Sequence, residues 1–439
     1  MGISNIIFIL LVIAGSSHFA INLRKIRRNV LLGRDLEIKG DKAARWKMVL
    51  RVALGQSKMV TRPIPGILHI FVYVGFVIIN IEVLEILIDG MFGTHRVLSF
   101  LGSFYTFLIA SFEWLALLVT FGCVVFLIRR NILKVKRFWS KEITSWPRSD
   151  ANIILITEIL LMIAFMSLNA SDYLLQNTGN EHYIKISESA FPISILWSKM
   201  FAGMPAPTLM LVERSAWWFH IIGIFAFMNY LPYSKHLHIL LSFPNVYYSK
   251  LEPKGEFTNL QNVTTEVKAM LDPSFTPPPA DPAHHNRFGA KDVFDLSWKQ
   301  LLDAYSCTEC GRCTSACPAN QTGKLLSPRK IMMDTRDRLE EVGKNIDTNK
   351  KFVDDGKSLF GNYILAEELW ACTTCNACVQ ECPVNIDPLS IIVDLRRFLV
   401  MEQSAAPQSL NMMSTNIENN GAPWQYSPAD RLNWASEEK

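Results

Sequence analysis

Cysteine is almost absent outside two short stretches, and that absence sets the first constraint. Of nine cysteines, eight fall within residues 307–317 and 372–382, leaving Cys123 alone. A disulfide framework would be spread differently, so the two groups read as ligand sets. Charge is missing just as unevenly. The net charge is only +4 with 19% charged residues, yet long runs in the first 245 residues carry almost none. Basic residues are missing ahead of the apolar stretch Ile3–Ile21 and follow it instead. That order argues against a cleaved secretory leader and reads as a retained anchor. Strand-type alternation is missing after residue 245, so a sheet-built second half is excluded and a mostly helical one expected. No internal repeat and no pair of interrupted apolar segments appears, which argues against an ion-carrying transporter.

What is present is apolar length. Of 439 residues, 49% are hydrophobic, and five stretches approach the ~20 residues that cross a hydrocarbon core. They lie at roughly 3–22, 66–88, 104–128, 151–171 and 215–235. Twelve Lys and Arg separate the first two, from Arg24 to Arg62, and seven separate the third and fourth, from Arg129 to Arg148. The loop after the second offers only Arg96, and 172–214 only Lys185, Lys199 and Arg214. Basic loops stay cytoplasmic, so the N-terminus is expected outside and the cysteine-bearing half inside. Thiolate ligands need a reducing compartment, which independently selects the same side. The expected setting is the cytoplasmic membrane of a bacterium. The apolar segment Ala190–Gly203, with Pro192 and Pro205 at its flanks, is too short for a span and reads as interfacial or re-entrant. The fold class expected is all-α: a five-span bundle over 1–245, a Pro-rich linker over 246–290 with Pro277-Pro278-Pro279, a helical cluster domain over 291–402, and a polar, extended, partner-docking tail over 403–439.

The cysteines obey one rule twice. Cys307, Cys310, Cys313 and Cys317-Pro318 repeat as Cys372, Cys375, Cys378 and Cys382-Pro383. This is C-x₂-C-x₂-C-x₃-C-P, the pattern of two-cluster bacterial ferredoxins, in which the fourth thiolate of each run ligates the other cluster. The expected sets are Cys307, Cys310, Cys313 and Cys382 for one 4Fe–4S cluster, and Cys372, Cys375, Cys378 and Cys317 for the other. A pair of zinc sites is the alternative, since C-x₂-C also binds zinc. Cys123 reads as a small packing residue.

Ionisable side chains inside spans are costly and point to function. His69 lies just inside the second span, and His220, His236 and His238 lie along the fifth and its basic end. From His220 to His238 is 18 residues, about 27 Å on one helix face if the helix is unbroken. Pro232 stands against that continuity. Two imidazoles filling both axial positions suit an electron-transfer haem. His69 is therefore paired with His238, or at the same depth His236, around a cytoplasmic-side haem b. His220 would serve a second haem, with His95 the nearby candidate partner; His18 reads as interfacial. Glu82, Glu85, Glu113 and Glu158 are candidates for a proton path or are packed acids.

The 54 residues between the motifs carry helical periodicity at Lys330–Val342 and Tyr363–Trp370. This module resembles the helical ferredoxins of heterodisulfide reductase C-type subunits and of succinate and glycerol-3-phosphate dehydrogenases. The five spans with His69 and the His220–His238 pair look like the cytochrome b subunit of respiratory nitrate reductase, departing from it in having one histidine in the second span. Residues 50–439 resemble membrane-bound iron–sulfur oxidoreductases that take electrons from electron-transfer flavoprotein and reduce menaquinone. The stretches carrying that likeness are Ala53-Leu-Gly-Gln56, Gly66-Ile-Leu-His69, Pro232–His238 and Lys291-Asp292-Val293. In fused members of that family, stretches similar to Ala422-Pro423-Trp424 and Arg431-Leu432-Asn433-Trp434 lead to cysteine-rich CCG domains. No Cys-Cys-Gly occurs here, so the resemblance implies a CCG module on a separate partner. The implied role is electron transfer between a cytoplasmic redox partner, two 4Fe–4S clusters, haem b and a menaquinone-type quinone, with no nucleic acid involved. A membrane-anchored redox sensor, or a quinol-oxidising subunit feeding a heterodisulfide-type reductase, uses the same parts.

Overall fold

The computed structural model describes residues 2–178, 182–278 and 287–437. Pro279 of the proline run and residues 280–286 of the linker lie outside the described residues. Five helices are long and apolar enough to cross a membrane: Ile3–Val30, Pro63–Phe92, Ser103–Ile132, Trp146–Leu175 and Ala206–Tyr233. Proline in the first turn begins the second, fourth and fifth, where its missing N–H costs no bond. The fifth starts at Ala206, not near residue 215, because Glu213 and Arg214 neutralise each other within the helix. Small residues let the spans approach closely. A Cβ on Gly75 would lie 2.3 Å from Val119 Cγ2, so the second and third spans meet only because it is absent.

Between the fourth and fifth spans the chain folds back as short turns, Ser194–Trp197 and Ser198–Phe201, without crossing. Glu113 of the third span holds this segment by accepting from the Ile193 and Ser194 N–H groups at 2.8 and 3.0 Å. The fifth span does not continue to residue 238. Its helix ends at Tyr230, passes through a turn at Leu231–Tyr233, and breaks at Ser234, where the backbone is extended (φ −120°, ψ 150°). Pro232 cannot donate to the helix ladder. Asp150 fixes the break by accepting from the hydroxyls of Tyr230 and Ser234 at 2.5 and 2.6 Å and from the Lys235 N–H at 3.1 Å. The one-face relation of His220 to His238 along an unbroken helix is thereby lost, and His238 opens a new helix, His238–Tyr247.

The second half is helical, with Pro328–Asn349 and Pro388–Met401 as its longest cysteine-flanking helices. Only isolated bridges, such as Arg34 with Ser297, appear in place of strands among the described residues. Ser297 caps the helix Trp298–Ser306 and Ser327 caps Pro328–Asn349. The tail is not extended: it forms a helix, Gln408–Asn420, and short turns beyond it, exposed throughout most of their length.

This half is seated on the bundle end that carries the basic loops. Its core is continuous with the bundle: Ile26, Val30, Leu231 and Leu237 pack into one cluster with Leu301, Ile331, Leu339 and Leu395. Charged side chains pin the seam. Arg329, fully buried, meets Glu142 at 2.7 Å, and Arg62 meets Glu381 at 2.9 Å. Glu309 lies between Arg336, at 2.7 Å, and Lys235.

Breaking a buried pair strands the remaining charge. Glu142→Ala is therefore expected to destabilise the seated domain by about 3–5 kcal/mol, read as a lower thermal unfolding midpoint. Although burial works against it, Arg329 and Ser327 hold the Glu142 carboxyl below its usual range. Its contribution is accordingly present above the unfolded carboxylate pKa and lost as pH falls through the depressed folded value. The wild type and Glu142→Ala should converge in stability under acid.

Candidate metal centres

Both cysteine motifs fold through the same local device. Glu309 and Gly311 in the first have positive φ (54° and 71°), and Thr374 and Asn376 at matching places in the second do likewise (55° and 58°). Left-handed residues between the cysteines curl the backbone so that successive thiols face one centre. Each run then enters a short helix, Arg312–Ala316 or Ala377–Glu381, and these two pack against each other. Cys-Pro ends each run and turns the fourth thiol away.

Cys307, Cys310, Cys313 and Cys382 line a single hollow. Cys317 lies instead within charge-interaction range of Cys372 and Cys378, and Cys372 of Cys375. Cys313 also neighbours Cys378, so the two cages adjoin. No three metal-binding side chains among the described residues converge on a point suited to one ion; the thiols ring a volume. Burial pushes the Cys307 thiol up to about 11 and Cys382 up to about 12. Such thiols become ligands when a metal replaces their protons. Cys375 is exposed, whereas Cys307 and Cys382 are buried. The Cys372 cage reaches solvent at Cys375, although its Cys317 and Cys378 thiols are buried as well, and the Cys307 cage meets the bundle through contacts of Arg312 and Cys382.

The bundle side of that cage is built from charge. Arg312, inside the first motif, donates to the carbonyls of Lys58 and Met59 at 2.9 and 3.0 Å. Lys58 donates to the Cys382 carbonyl and to Asn385, both at 2.8 Å. Burial pushes the Lys58 ammonium down to about 8.

Three histidines gather beneath it. The His236 and His238 rings are 5.5 Å apart, near perpendicular, and both lie in charge-interaction range of His69. Burial, then the neighbouring His238 and His69, pushes His236 down to about 3, so it stands as a neutral imidazole. His69 Nδ1 and His236 Nε2 are buried without a hydrogen-bond partner. The His238 Nδ1 lies 3.1 Å from the Lys235 carbonyl, the orientation in which Nε2 is left for a metal. Unpartnered buried imidazole nitrogens are a donor set that fits a bis-imidazole haem. Arg312 lies in charge-interaction range of His69, and Lys235 joins this end to Glu309 between two cysteines of the first cage.

The other histidines are placed differently. His220 is buried with Nδ1 3.0 Å from the Leu161 carbonyl and its ring against Phe165. His95 turns to Asp172, at 3.2 Å, and to the rings of His182 and Tyr183. His18 is exposed and meets Asn229 at 2.9 Å. Glu85 accepts from Leu98 N–H and Tyr105 hydroxyl, both at 2.8 Å, and Glu113 holds the folded-back segment. Cys123 and Glu158 are buried neighbours within the bundle. Sequence reasoning passed over Lys58, Arg312, Glu309 and Lys235, and it named His95 and Arg96 without their link through Asp172. An arginine within a cysteine motif was a readable signal; the partners of the others are far apart along the chain.

Comparison with known proteins agrees with the motifs. The 4Fe-4S dicluster domain family matches residues 303–386, which supports iron–sulfur clusters over zinc in this module. The chain is 28% identical to the probable iron-sulfur-binding oxidoreductase FadF of Bacillus subtilis, over 99% of its own length and 61% of that protein's. It is 27% identical to the EtfAB:quinone oxidoreductase of Syntrophomonas wolfei, over 91% of this chain and 55% of that one. It is 33% identical to one of the CoB-CoM heterodisulfide reductase polypeptides of Methanosarcina acetivorans, over 27% of this chain and 60% of the relative. The chain thus spans about three-fifths of the first relative and just over half of the second. No solved structure matches it. It is related in sequence to iron–sulfur oxidoreductases and their subunits.

Proposed function

We propose that the chain is a membrane electron-transfer subunit that relays electrons between a cytoplasmic redox protein and the quinone pool. One observation carries this reading: a four-thiol cage that opens to solvent at Cys375, a second cage held against the bundle by Arg312 and Lys58, and a histidine group at the bundle end adjoin one another. The Cys372, Cys375, Cys378 and Cys317 set would hold the 4Fe–4S cluster nearer solvent. Cys307, Cys310, Cys313 and Cys382 would hold the one nearer the bundle. His69 with His236 or His238 would hold a haem b, with the Lys235 carbonyl orienting His238. Bound there, these groups supply one-electron chemistry; the protein supplies position, burial and charge. Arg312 places positive charge near both the Cys307 cage and His69, and Lys58 adds positive charge beside Cys382, which favours a reduced, more negative group there.

The partner is read as an electron-transfer flavoprotein, in keeping with the name of the Syntrophomonas wolfei relative, acting directly or through a CCG-type iron–sulfur polypeptide. Exposed Cys375 and the exposed tail residues Trp424, Tyr426 and Trp434 give such a protein a surface to meet. The basic loops and the seated cluster domain share one end of the bundle, which supports a cytoplasmic position for that end in a bacterial inner membrane.

Cys382→Ala is expected to lower bound iron and acid-labile sulfide by about half, with haem content retained. Loss of both clusters' paramagnetic signals together would contradict the separate sets. His69→Ala is expected to remove a low-spin b-type absorbance from the reduced spectrum. Replacing His69, His236 and His238 together with no change in that spectrum would end the haem assignment.

A further inference from the structure

At the bundle end away from the cysteines, the first, second, fourth and fifth spans enclose a cavity of about 280 Å³. Phe8, Trp217 and Trp218 give it aromatic walls, with Phe8 5.3 Å from Trp217 and the two tryptophans 5.1 Å apart. Phe8 reaches its place because Gly90 has no Cβ, which would lie 2.5 Å from the ring. The polar wall is built around Arg96, a non-glycine residue held at φ 50°. Its N–H donates to Asp89 at 2.7 Å, and its guanidinium reaches Asp172 at 2.5 Å, Asn169 at 2.9 Å and Tyr105 at 3.2 Å.

Three lining groups are left incomplete within this network, Asp172 through its Oδ1 and two others. Glu82 is 5% exposed, and its Oε2 is buried with no hydrogen-bond partner. His95 has Nε2 3.2 Å from Asp172, but its Nδ1 is buried with no partner. Arg96, Glu85 and Glu113 are the charged groups facing Glu82. Buried polar atoms are rarely left without a partner, so a water, an ion or a ligand is expected to meet them. A carboxyl and an imidazole with spare atoms beside an aromatic wall match a flat ring bearing two opposed oxygens.

We propose that this cavity binds a quinone headgroup and that Glu82 and His95 supply the protons of its reduction. The proposal rests on the electron-transfer reading above and adds the place and the proton donors. When bound, the clusters and haem of that reading would supply the two electrons the ring takes up, one at a time. One oxygen takes a proton from the Glu82 carboxyl, the other from His95, whose Nε2 lies 3.2 Å from Asp172. Two C=O groups become two C–OH groups, and both donors regain protons from water at that end. Quinol oxidation runs the same steps in reverse. Electrons would thus cross the bundle, and protons would exchange on the face opposite the clusters.

The test uses the full chain in lipid nanodiscs with 2-azido-1,4-naphthoquinone as photolabel and menadione as competitor, mapped by peptide mass spectrometry. Label is expected on peptides carrying Phe8 or Trp217 and Trp218, and is expected to be displaced by menadione. Label confined to the His69–His236 end, or not displaced, overturns the site while leaving the electron-transfer reading intact. Glu82→Gln and His95→Gln should keep iron content and the same labelled peptides, while kcat with menadione falls about a hundredfold. Unchanged kcat in both variants overturns the proton role. Failure of the underlying reading would appear separately, as missing iron or haem.

Discussion

The seam between the helical cluster domain and the basic end of the bundle is the constraint on which everything else depends. Electron transfer between separate centres weakens steeply with distance, so a domain that swung on its linker would serve poorly. Here the two halves share one apolar core, with Ile26, Val30, Leu231 and Leu237 inserted among residues of the cluster domain. Apolar packing resists separation but does not fix orientation. Orientation comes from the buried pairs Arg329–Glu142 and Arg336–Glu309–Lys235, where misplacement would strand a charge in a dry region. Contacts from Lys58 and Arg312 then set which cage faces the histidines.

The two ends of the bundle solve opposite problems with similar residues. At the basic end, burial keeps the His236 imidazole neutral, and His236 and His69 each keep a nitrogen without a partner, as metal ligation requires. At the far end, carboxylates, arginine and histidine are crowded together and almost completely paired around Arg96. Such a network in the low-dielectric interior is stable only when nearly every member is satisfied. The few atoms left over, on Glu82, His95 and Asp172, are therefore the informative ones.

The broken fifth span shows how a small local choice redirects the site. An uninterrupted helix would have held His236 and His238 apart around its axis. The turn at Leu231–Tyr233, clamped by Asp150, instead folds the following segment so that both imidazoles gather with His69. Three residue types cooperate: a proline that cannot donate, a serine that accepts an extended backbone, and a carboxylate from another span that satisfies the freed groups.

Much of this protein could be read one residue after another. Apolar runs longer than a bilayer is thick announce five spans, because backbone groups in lipid must be satisfied within a helix. Repeated cysteine spacing announces two cages, because ligands to one cluster must lie close along the chain, apart from the exchanged fourth. Folding alone decided the rest. Periodicity carries no record of Asp150 reaching Ser234, of Glu113 holding the Ile193 segment, or of Glu82 keeping an unpaired oxygen, since those partners are separated by many residues. Spacing says which side chains are of the right kind; only packing in three dimensions says which of them are left unsatisfied, and in a dry interior that difference separates a structural acid from a working one.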